Sequence, residues 1–311
     1  MHSFERITVI GAGTIGMSWA ALFLASGRYV TLCDPDKNIE SKTLTFIQNA
    51  SSALQTLGWP KAGNTERLTF DADPVSAVKN TSFIQESIPE RITLKHQLYR
   101  DIEAHLTTDA IVATSTSGLG LSQLQQGFTN PSRLILAHPF NPPHLIPLVE
   151  LMGNQLTNMT ALATAEHFYQ SLGKQTIRLN KEIPGHIANR LQAALWRECI
   201  HLLKEGVASL EDIDKAVAHG PGLRWAALGP SSLFHLGGGE QGIEGFCKHI
   251  GPPMQTWWDD LGDAKFDSQT IESLRQGMTA INEKMSDEQL RHKRDTLIVD
   301  FLKSINSLKG V

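Results

Sequence analysis

Cysteine is scarce in this chain of 311 residues, with only Cys33, Cys199 and Cys247 present. They are odd in number, far apart and without CxxC spacing, which argues against a disulfide framework and a zinc knuckle and sets the expectation of reduced thiols and no metal. Neither sign of charge is in large excess: 28 Lys and Arg stand against 32 Asp and Glu, a formal net charge of -4. Such a balance supplies no basic field for nucleic acid or an anionic membrane surface, and no run of like charges suggests a tail. Long apolar runs are missing too. No stretch reaches the roughly 18 apolar residues of a membrane span, and the opening MHSFERITVIGAG enters a strand-like pattern without a charged-then-apolar leader. The expectation is a cytoplasmic protein whose partner is a small molecule, with neither nucleic acid nor membrane involved.

What is present is alternation. Through the first half, the strand-length runs RITVI, YVTLCD, SFIQES, AIVAT, RLILAH and LIPLVEL are interleaved with the helical patterns TIGMSWAALFLASG, TLKHQLYRDIEAHL and TALATAEHFYQSLG. That order predicts an α/β fold, a doubly wound, Rossmann-type and mostly parallel sheet covered by helices on both faces. From Pro184 onward only helical patterns follow, and IPGHIANRLQAALWRECIHLLKEG predicts one long helix with Pro184 in its first turn and Gly206 past its end. A chain of this length has room for two domains. The expected division is a nucleotide-binding domain over 1–183 and an all-α substrate and dimerisation domain over 184–311.

The first chemical motif is GAGTIG, with Gly11, Gly13, Thr14, Ile15 and Gly16 between the strand ITVI and an amphipathic helix. Gly11 permits a tight turn, Gly13 lets backbone approach a pyrophosphate at the helix N-terminus, and Gly16 lets helix and strand pack closely. Asp34, at the end of the next strand, can accept hydrogen bonds from ribose hydroxyls and would repel a 2′-phosphate, which favours NAD over NADP. A nucleotide-binding fold that binds FAD, or has lost its ligand, carries the same glycines.

Three further stretches can carry chemistry. ATSTSGLGLSQL, residues 113–124, puts hydroxyls just past a predicted strand, where a doubly wound sheet receives its ligands; capping of a helix that starts near Leu121 explains the same residues. HPFNPPHLIPLVE, residues 138–150, reads as a turn over Pro139 to Pro143 followed by a short buried strand of Ile146, Pro147, Leu148 and Val149. That return can bring His138 to Glu150, twelve residues on, as a catalytic pair or as a structural hydrogen bond. In IPGHIANRLQAALW, Asn189, Ala193 and Trp196 share one side of a helix, suited either to a pocket between domains or to capping and core packing.

Taken together, GAGTIG with Asp34, ESIPERITLK, STSGL, HPFNPPHLIPLVE and IPGHIANRLQ follow the order and rough spacing of the 3-hydroxyacyl-CoA dehydrogenase superfamily, which the chain resembles over its whole length. The resemblance implies NAD-dependent oxidation of a secondary 3-hydroxyl. Position by position, His138 resembles the family's catalytic base and Glu150 its orienting carboxylate; Ser117 and Asn189 match the residues that hydrogen-bond the substrate oxygen. Glu90 and Lys95 match positions beside the cofactor. Ser115 is a departure on the nicotinamide side, since the family usually has Asn there, in SNTSSL.

For the substrate, the acyl-CoA members carry a longer, lysine-rich helical insertion after the second strand. Here the corresponding stretch holds only Lys37, Lys42 and Lys61, which disfavours CoA. The C-terminal part looks like the branch that acts on small free 3-hydroxy acids, which includes the L-carnitine dehydrogenases and the L-gulonate 3-dehydrogenase/lambda-crystallin proteins. Trp196, Trp225 and Phe234 offer faces for a quaternary ammonium, Glu198 or Glu240 a counter-charge, and Arg224 a cation for a carboxylate. Core or interface packing accounts for the same aromatic residues. A short-chain 3-hydroxyacyl-CoA dehydrogenase and a crystallin-like protein without turnover are the competing readings, and relatives imply a homodimer.

Overall fold

The computed structural model describes residues 4–308. Eight strands, β1 (Arg6–Ile10), β2 (Tyr29–Cys33), β3 (Leu68–Asp71), β4 (Phe83–Glu86), β5 (Ile111–Thr114), β6 (Leu134–Pro139), β7 (Leu148–Met152) and β8 (Gln175–Arg178), form one sheet in the order β3-β2-β1-β4-β5-β6-β7-β8. Every neighbouring pair is parallel except β6 with β7. Its helices are α1 (Thr14–Ala25), α2 (Ile39–Thr56), α3 (Pro74–Ala77), α4 (Ile92–Glu103), α5 (Leu121–Gln125) and α6 (Met159–Ser171). The remainder of the described chain is helical: α7 (Ala188–Lys204), α8 (Leu210–His219), α9 (Pro221–Ala227), α10 (Pro230–Gly237), α11 (Gly242–His249), α12 (Gly251–Asp260), α13 (Ser268–Asn282) and α14 (Asp287–Leu308). The doubly wound α/β class, with helices following, is what the alternation of runs predicts.

The central strands β4, β5 and β6 are buried at every residue, as strands covered on both faces must be. Successive side chains point to opposite faces, so each strand feeds two cores. Val9, Phe83, Ile135 and Ala137 pack with Trp19 and Phe23 of α1 and with Phe168 and Tyr169 of α6. Ile10, Ile84, Val112, Leu134 and Leu136 pack with Leu98 and Tyr99 of α4 and with Leu121 and Leu124 of α5. α1 is buried along nearly its whole length, because its run of Trp, Ala, Leu and Phe is apolar on every side.

Three details depart from the sequence expectations. β3 and β8 lie at the two edges of the sheet; their short, partly polar sequences LTFD and QTIR lack the apolar run that marks a buried strand. The strand after the proline turn is Leu148–Met152, so Ile146 and Pro147 belong to the preceding loop and Pro139 ends β6. The long helix starts at Ala188, not at Pro184: Gly185 and His186 have φ of +76° and +51°, which no α-helix accommodates. Its end is as expected, with Gly206 at φ +67° two residues beyond Lys204.

Contacts divide the chain into two compact units, one running up to Arg190 and taking in Asp295–Asn306, the other Leu191–Arg294. Residues 309–311 of the expected second domain lie outside the described residues. No helix among the described residues is long and apolar enough to cross a membrane.

Candidate active site

On the cofactor side, β1 delivers the chain to Gly11 at φ +92°, where a side chain would meet the Ser87 carbonyl at 2.6 Å. A Cβ on Gly16 would collide with the Gly11 carbonyl, whereas one on Gly13 would meet nothing within 4 Å. Two glycines are thus demanded by packing and the third fronts open space. Gly13 is also the N-cap of α1; no side chain caps that end and no acidic residue sits in its first turn, which leaves the amides beginning at Thr14 and Ile15 for a pyrophosphate. Asp34, half-buried just past β2, accepts from the amides of Ala12 (2.8 Å) and Asp36 (2.9 Å) and so ties the glycine turn to the second strand. These residues fit a dinucleotide.

At the ends of β4 and β5, two carboxylates organise the backbone. Glu86 is fully buried and bonded to the Lys95 ammonium (2.6 Å), the hydroxyls of Tyr99 (2.8 Å) and Thr114 (2.6 Å), and the Ile88 amide (2.8 Å). Lys95 is only 1% exposed, and its ammonium lies 3.8 Å from Glu90. Glu90 in turn accepts from the Thr116 hydroxyl and from the amides of Ser117 (2.9 Å), Gly118 (2.7 Å) and Leu119 (3.2 Å). Burial pulls the Glu90 carboxyl upward, but the Thr116 hydroxyl, the Gly118 amide, Lys95 and the Leu119 amide together hold it below the ordinary carboxylate range. The Ser117 loop is therefore wrapped around an ionised carboxylate. Ser115 is held from β4, by Gln85 (2.9 Å) and Ser87 (2.9 Å).

His138 and Glu150 are cross-strand partners in the antiparallel β6–β7 pair. His138 Nδ1 lies 2.7 Å from Glu150 Oε2, and both residues are buried. The other carboxylate oxygen accepts from the amides of Ile187 (2.9 Å) and Ala188 (3.0 Å), the start of α7. Burial disfavours the Glu150 anion, yet the His138 bond and the two amides outweigh it and keep its carboxyl below the usual range. An ionised carboxylate can only accept, so in the neutral ring His138 Nδ1 carries the proton and Nε2 keeps its lone pair. This is the arrangement of a general base with a fixed tautomer. Asn189 follows Ala188 directly, in the first turn of α7.

His186 was not legible as a site residue. Its ring centroid lies 4.9 Å from that of His138, it is 3% exposed, and its Nε2 donates to the Thr116 carbonyl (3.1 Å), one residue before Ser117. Burial, with His138 beside it, lowers its pKa despite the Thr116 bond, so it is a neutral neighbour of His138. A histidine inside the motif IPGHIANRLQ was the only available signal. Next to it, a cleft of about 330 Å³ is lined by Gly118, Gly120, Leu136, Met152, Glu182 and His186.

The four residues expected at a substrate's far end all belong to the second unit. Trp196 packs on Phe266 (5.4 Å between centroids) and Phe234 stacks on Phe246 (4.5 Å), so each has a packing role, although Trp196 stays 46% exposed. Arg224 and Trp225 lie exposed on α9, and Arg224 makes no ion pair among the described residues. Glu198 accepts from the Gly262 amide (2.9 Å). Among the described residues no cluster of His, Cys, Asp or Glu could hold a metal.

The NAD binding domain model of 3-hydroxyacyl-CoA dehydrogenase matches residues 6–183, and the model of that enzyme's C-terminal domain matches residues 185–274. An L-carnitine dehydrogenase of Bacillus cereus is 39% identical over 97% of this chain and 92% of its own length. One from Streptomyces coelicolor is 39% identical over 99% of this chain and 96% of its own. Among solved structures, an NAD+-dependent 5-formyl-3-hydroxy-2-methylpyridine 4-carboxylic acid 5-dehydrogenase matches with a TM-score of 0.79 at 26% identity, covering 99% of both chains. (S)-3-hydroxybutyryl-CoA dehydrogenase from Ralstonia eutropha matches with 0.63 at 26% identity, over 75% of this chain and 82% of its own. The chain belongs to the 3-hydroxyacyl-CoA dehydrogenase family and is an NAD-dependent oxidoreductase.

Proposed function

We propose that His138 and Glu150 are the general-base dyad of this dehydrogenase and that its substrate is a small free 3-hydroxy acid of the L-carnitine type. The observation that carries the dyad is the 2.7 Å His138–Glu150 bond, with the far oxygen of Glu150 hydrogen-bonded by two amides. Nε2 of His138 takes the proton of the secondary hydroxyl. Glu150 stabilises the imidazolium that forms and keeps the ring in the one tautomer that leaves Nε2 free. Ser117 and Asn189 donate to the substrate oxygen as it becomes a carbonyl. Bound NAD supplies the acceptor for the hydride that leaves the same carbon. On the cofactor side the glycine turn and the start of α1 hold the pyrophosphate, Asp34 takes the ribose hydroxyls, and Ser115, Glu90 and Lys95 stand on the nicotinamide side.

The free-acid reading draws support from the relatives named as L-carnitine dehydrogenases and from the stretch around α2. Of its three lysines, Lys42 is already paired with Asp36, which leaves little to bind the phosphates of CoA. Arg224, exposed and without an ion-pair partner among the described residues, suits a substrate carboxylate, and Trp225 and Trp196 keep accessible faces for a quaternary ammonium. The second unit also exposes Leu191, Leu236, Trp257, Trp258 and Phe266, each by more than half. So much apolar surface on one unit supports a homodimer that covers it with a second copy of the chain.

Four measurements test this reading. Asp34→Ala weakens NAD binding and narrows the preference over NADP in a fluorescence titration; tighter binding of NADP by the wild type overturns the ribose contact. His138→Gln leaves NAD affinity nearly intact and lowers turnover roughly 10²- to 10⁴-fold, with Glu150→Ala acting in the same direction; near-wild-type turnover of His138→Gln refutes the dyad. In a panel of free 3-hydroxy acids and 3-hydroxyacyl-CoA esters, L-carnitine is oxidised, and 3-hydroxybutyrate, which lacks the quaternary ammonium, poorly. Arg224→Met there raises KM more than Trp196→Leu, because a charge-assisted guanidinium–carboxylate hydrogen bond is worth about 1.5–3 kcal/mol and one accessible aromatic face about 0.5–1. Activity on 3-hydroxybutyryl-CoA alone moves the protein to the acyl-CoA branch. Light scattering gives a mass near twice 34.2 kDa; a monomer removes the dimer.

A further inference from the structure

Among the described residues, Lys174 is the one ammonium of the sheet-bearing unit that is buried without a carboxylate. It lies between Gly173, at φ +75°, and the first residue of β8, and is 5% exposed. Among the described residues it forms no ion pair. Its Nζ donates to the carbonyls of Pro143 and Ile146 (3.0 Å to the latter) and lies 5.3 Å from the centre of the Trp19 ring. Taking a charge out of water at such a point costs several kcal/mol. An apolar side chain of similar length fills the same space without that cost, so packing alone does not explain a lysine here.

Both carbonyls belong to residues 140–147, the loop between His138 on β6 and Glu150 on β7. Pro142, Pro143 and Pro147 deprive that loop of amide donors; its turn is closed by the amides of Leu145 (3.0 Å) and Ile146 (2.9 Å) on the Pro142 carbonyl, and its ends by the Phe140 amide on the Leu148 carbonyl (3.3 Å) and the Gln175 amide on the Pro147 carbonyl (2.9 Å). Its middle, residues 143–146, is held by side chains from outside, on two flanks. On one flank is Lys174. On the other, Ser18 of α1 accepts from the His144 amide (2.8 Å) and lies 2.8 Å from His144 Nδ1, while Phe46 of α2 meets the His144 ring edge-on at 5.5 Å. Ser18 sits one turn into the helix whose N-terminus fronts the dinucleotide site.

We propose that Lys174 is a positioning residue: with Ser18 it clamps the 140–147 loop onto the dinucleotide helix and so fixes His138 relative to bound NAD. It touches neither substrate nor cofactor. The proposal rests on the reading of His138 as the base. Burial pushes the Lys174 ammonium down to about 7, and the amine keeps N–H donors in either protonation state, so the clamp itself survives titration.

The test uses the full chain with L-carnitine bearing hydrogen or deuterium at C3, and Lys174→Met, which keeps the length and removes the donors. A misplaced base slows the proton and hydride step by ~10- to 100-fold. The expected result is a kcat lower by that factor, KM and NAD affinity within about threefold, and a larger isotope effect on kcat. Ser18→Ala, which opens the opposite flank and is the smaller disturbance if Lys174→Met folds poorly, moves kcat and the isotope effect in the same direction. Hydrogen exchange of the Leu145 and Ile146 amides, which needs no substrate, accelerates in both variants. A folded Lys174→Met or Ser18→Ala with wild-type kcat, isotope effect and loop exchange overturns the clamp, as does a loss of kcat explained entirely by weaker NAD binding. His138→Gln run in parallel separates the two readings: if it keeps turnover the dyad has failed, and if it is inactive while Lys174→Met is normal only the clamp has.

Discussion

A buried carboxylate must be given partners, and the geometry around Glu150 follows from that requirement. With both oxygens out of water, one takes His138 across an antiparallel strand pair and the other takes the first free amides of α7. The same anion therefore fixes a histidine tautomer and the point at which a helix can begin. It explains why the helix starts at Ala188 after four residues of turn, since Ile187 and Ala188 would otherwise be unpaired donors at a helix N-terminus. It also puts Asn189 and His186 on either side of an immobilised stretch of backbone.

Glu86 and Glu90, at the end of β4 and just past it, repeat the device two strands away from His138. Each is a carboxylate at the carboxyl end of the sheet whose oxygens are occupied by backbone amides and hydroxyls. Glu90 shapes the loop that bears Ser117, and Glu86 with Lys95 and Tyr99 makes the floor beneath it. The Tyr99 hydroxyl, pushed well up by burial and then by the Glu86 charge, remains a donor to that carboxylate. His186 joins the two systems, with its ring beside His138 and its N–H on the Thr116 carbonyl. Loops at strand ends that carry function are usually soft; here ionised side chains rather than apolar packing stiffen them.

Much of the fold was legible. Six of the eight strands announce themselves as apolar runs, and the glycine turn, the Asp34 position and the helices at 14, 92 and 159 follow from periodicity and capping. The two edge strands were not, because LTFD and QTIR are half-solvated and owe their strand state to a neighbour, β2 or β7, rather than to their own pattern. At the site, His138 and Glu150 were visible as a spaced pair. Ser18, Gln85, Glu86 and His186 were not, since a residue acting through another's backbone leaves no periodic trace. Lys174 carries no signal of its own in the sequence, standing at the turn before an unrecognised strand.

By itself the sequence determined the class of fold, the family, NAD as cofactor and the lack of an apolar run long enough to span a membrane. All of these depend on local order along the chain: a run of apolar residues, glycines at fixed offsets, an acid at the next strand end. Tertiary structure alone decided that β7 runs antiparallel to β6, and with it that residues 138 and 150 stand directly opposite each other. It alone decided which carboxylates are buried, where α7 begins, and that an ammonium 36 residues along from His138 reaches the loop beside it. The physical reason is that the free energy of a charge depends on what replaces its water, and those replacements come from segments remote in sequence.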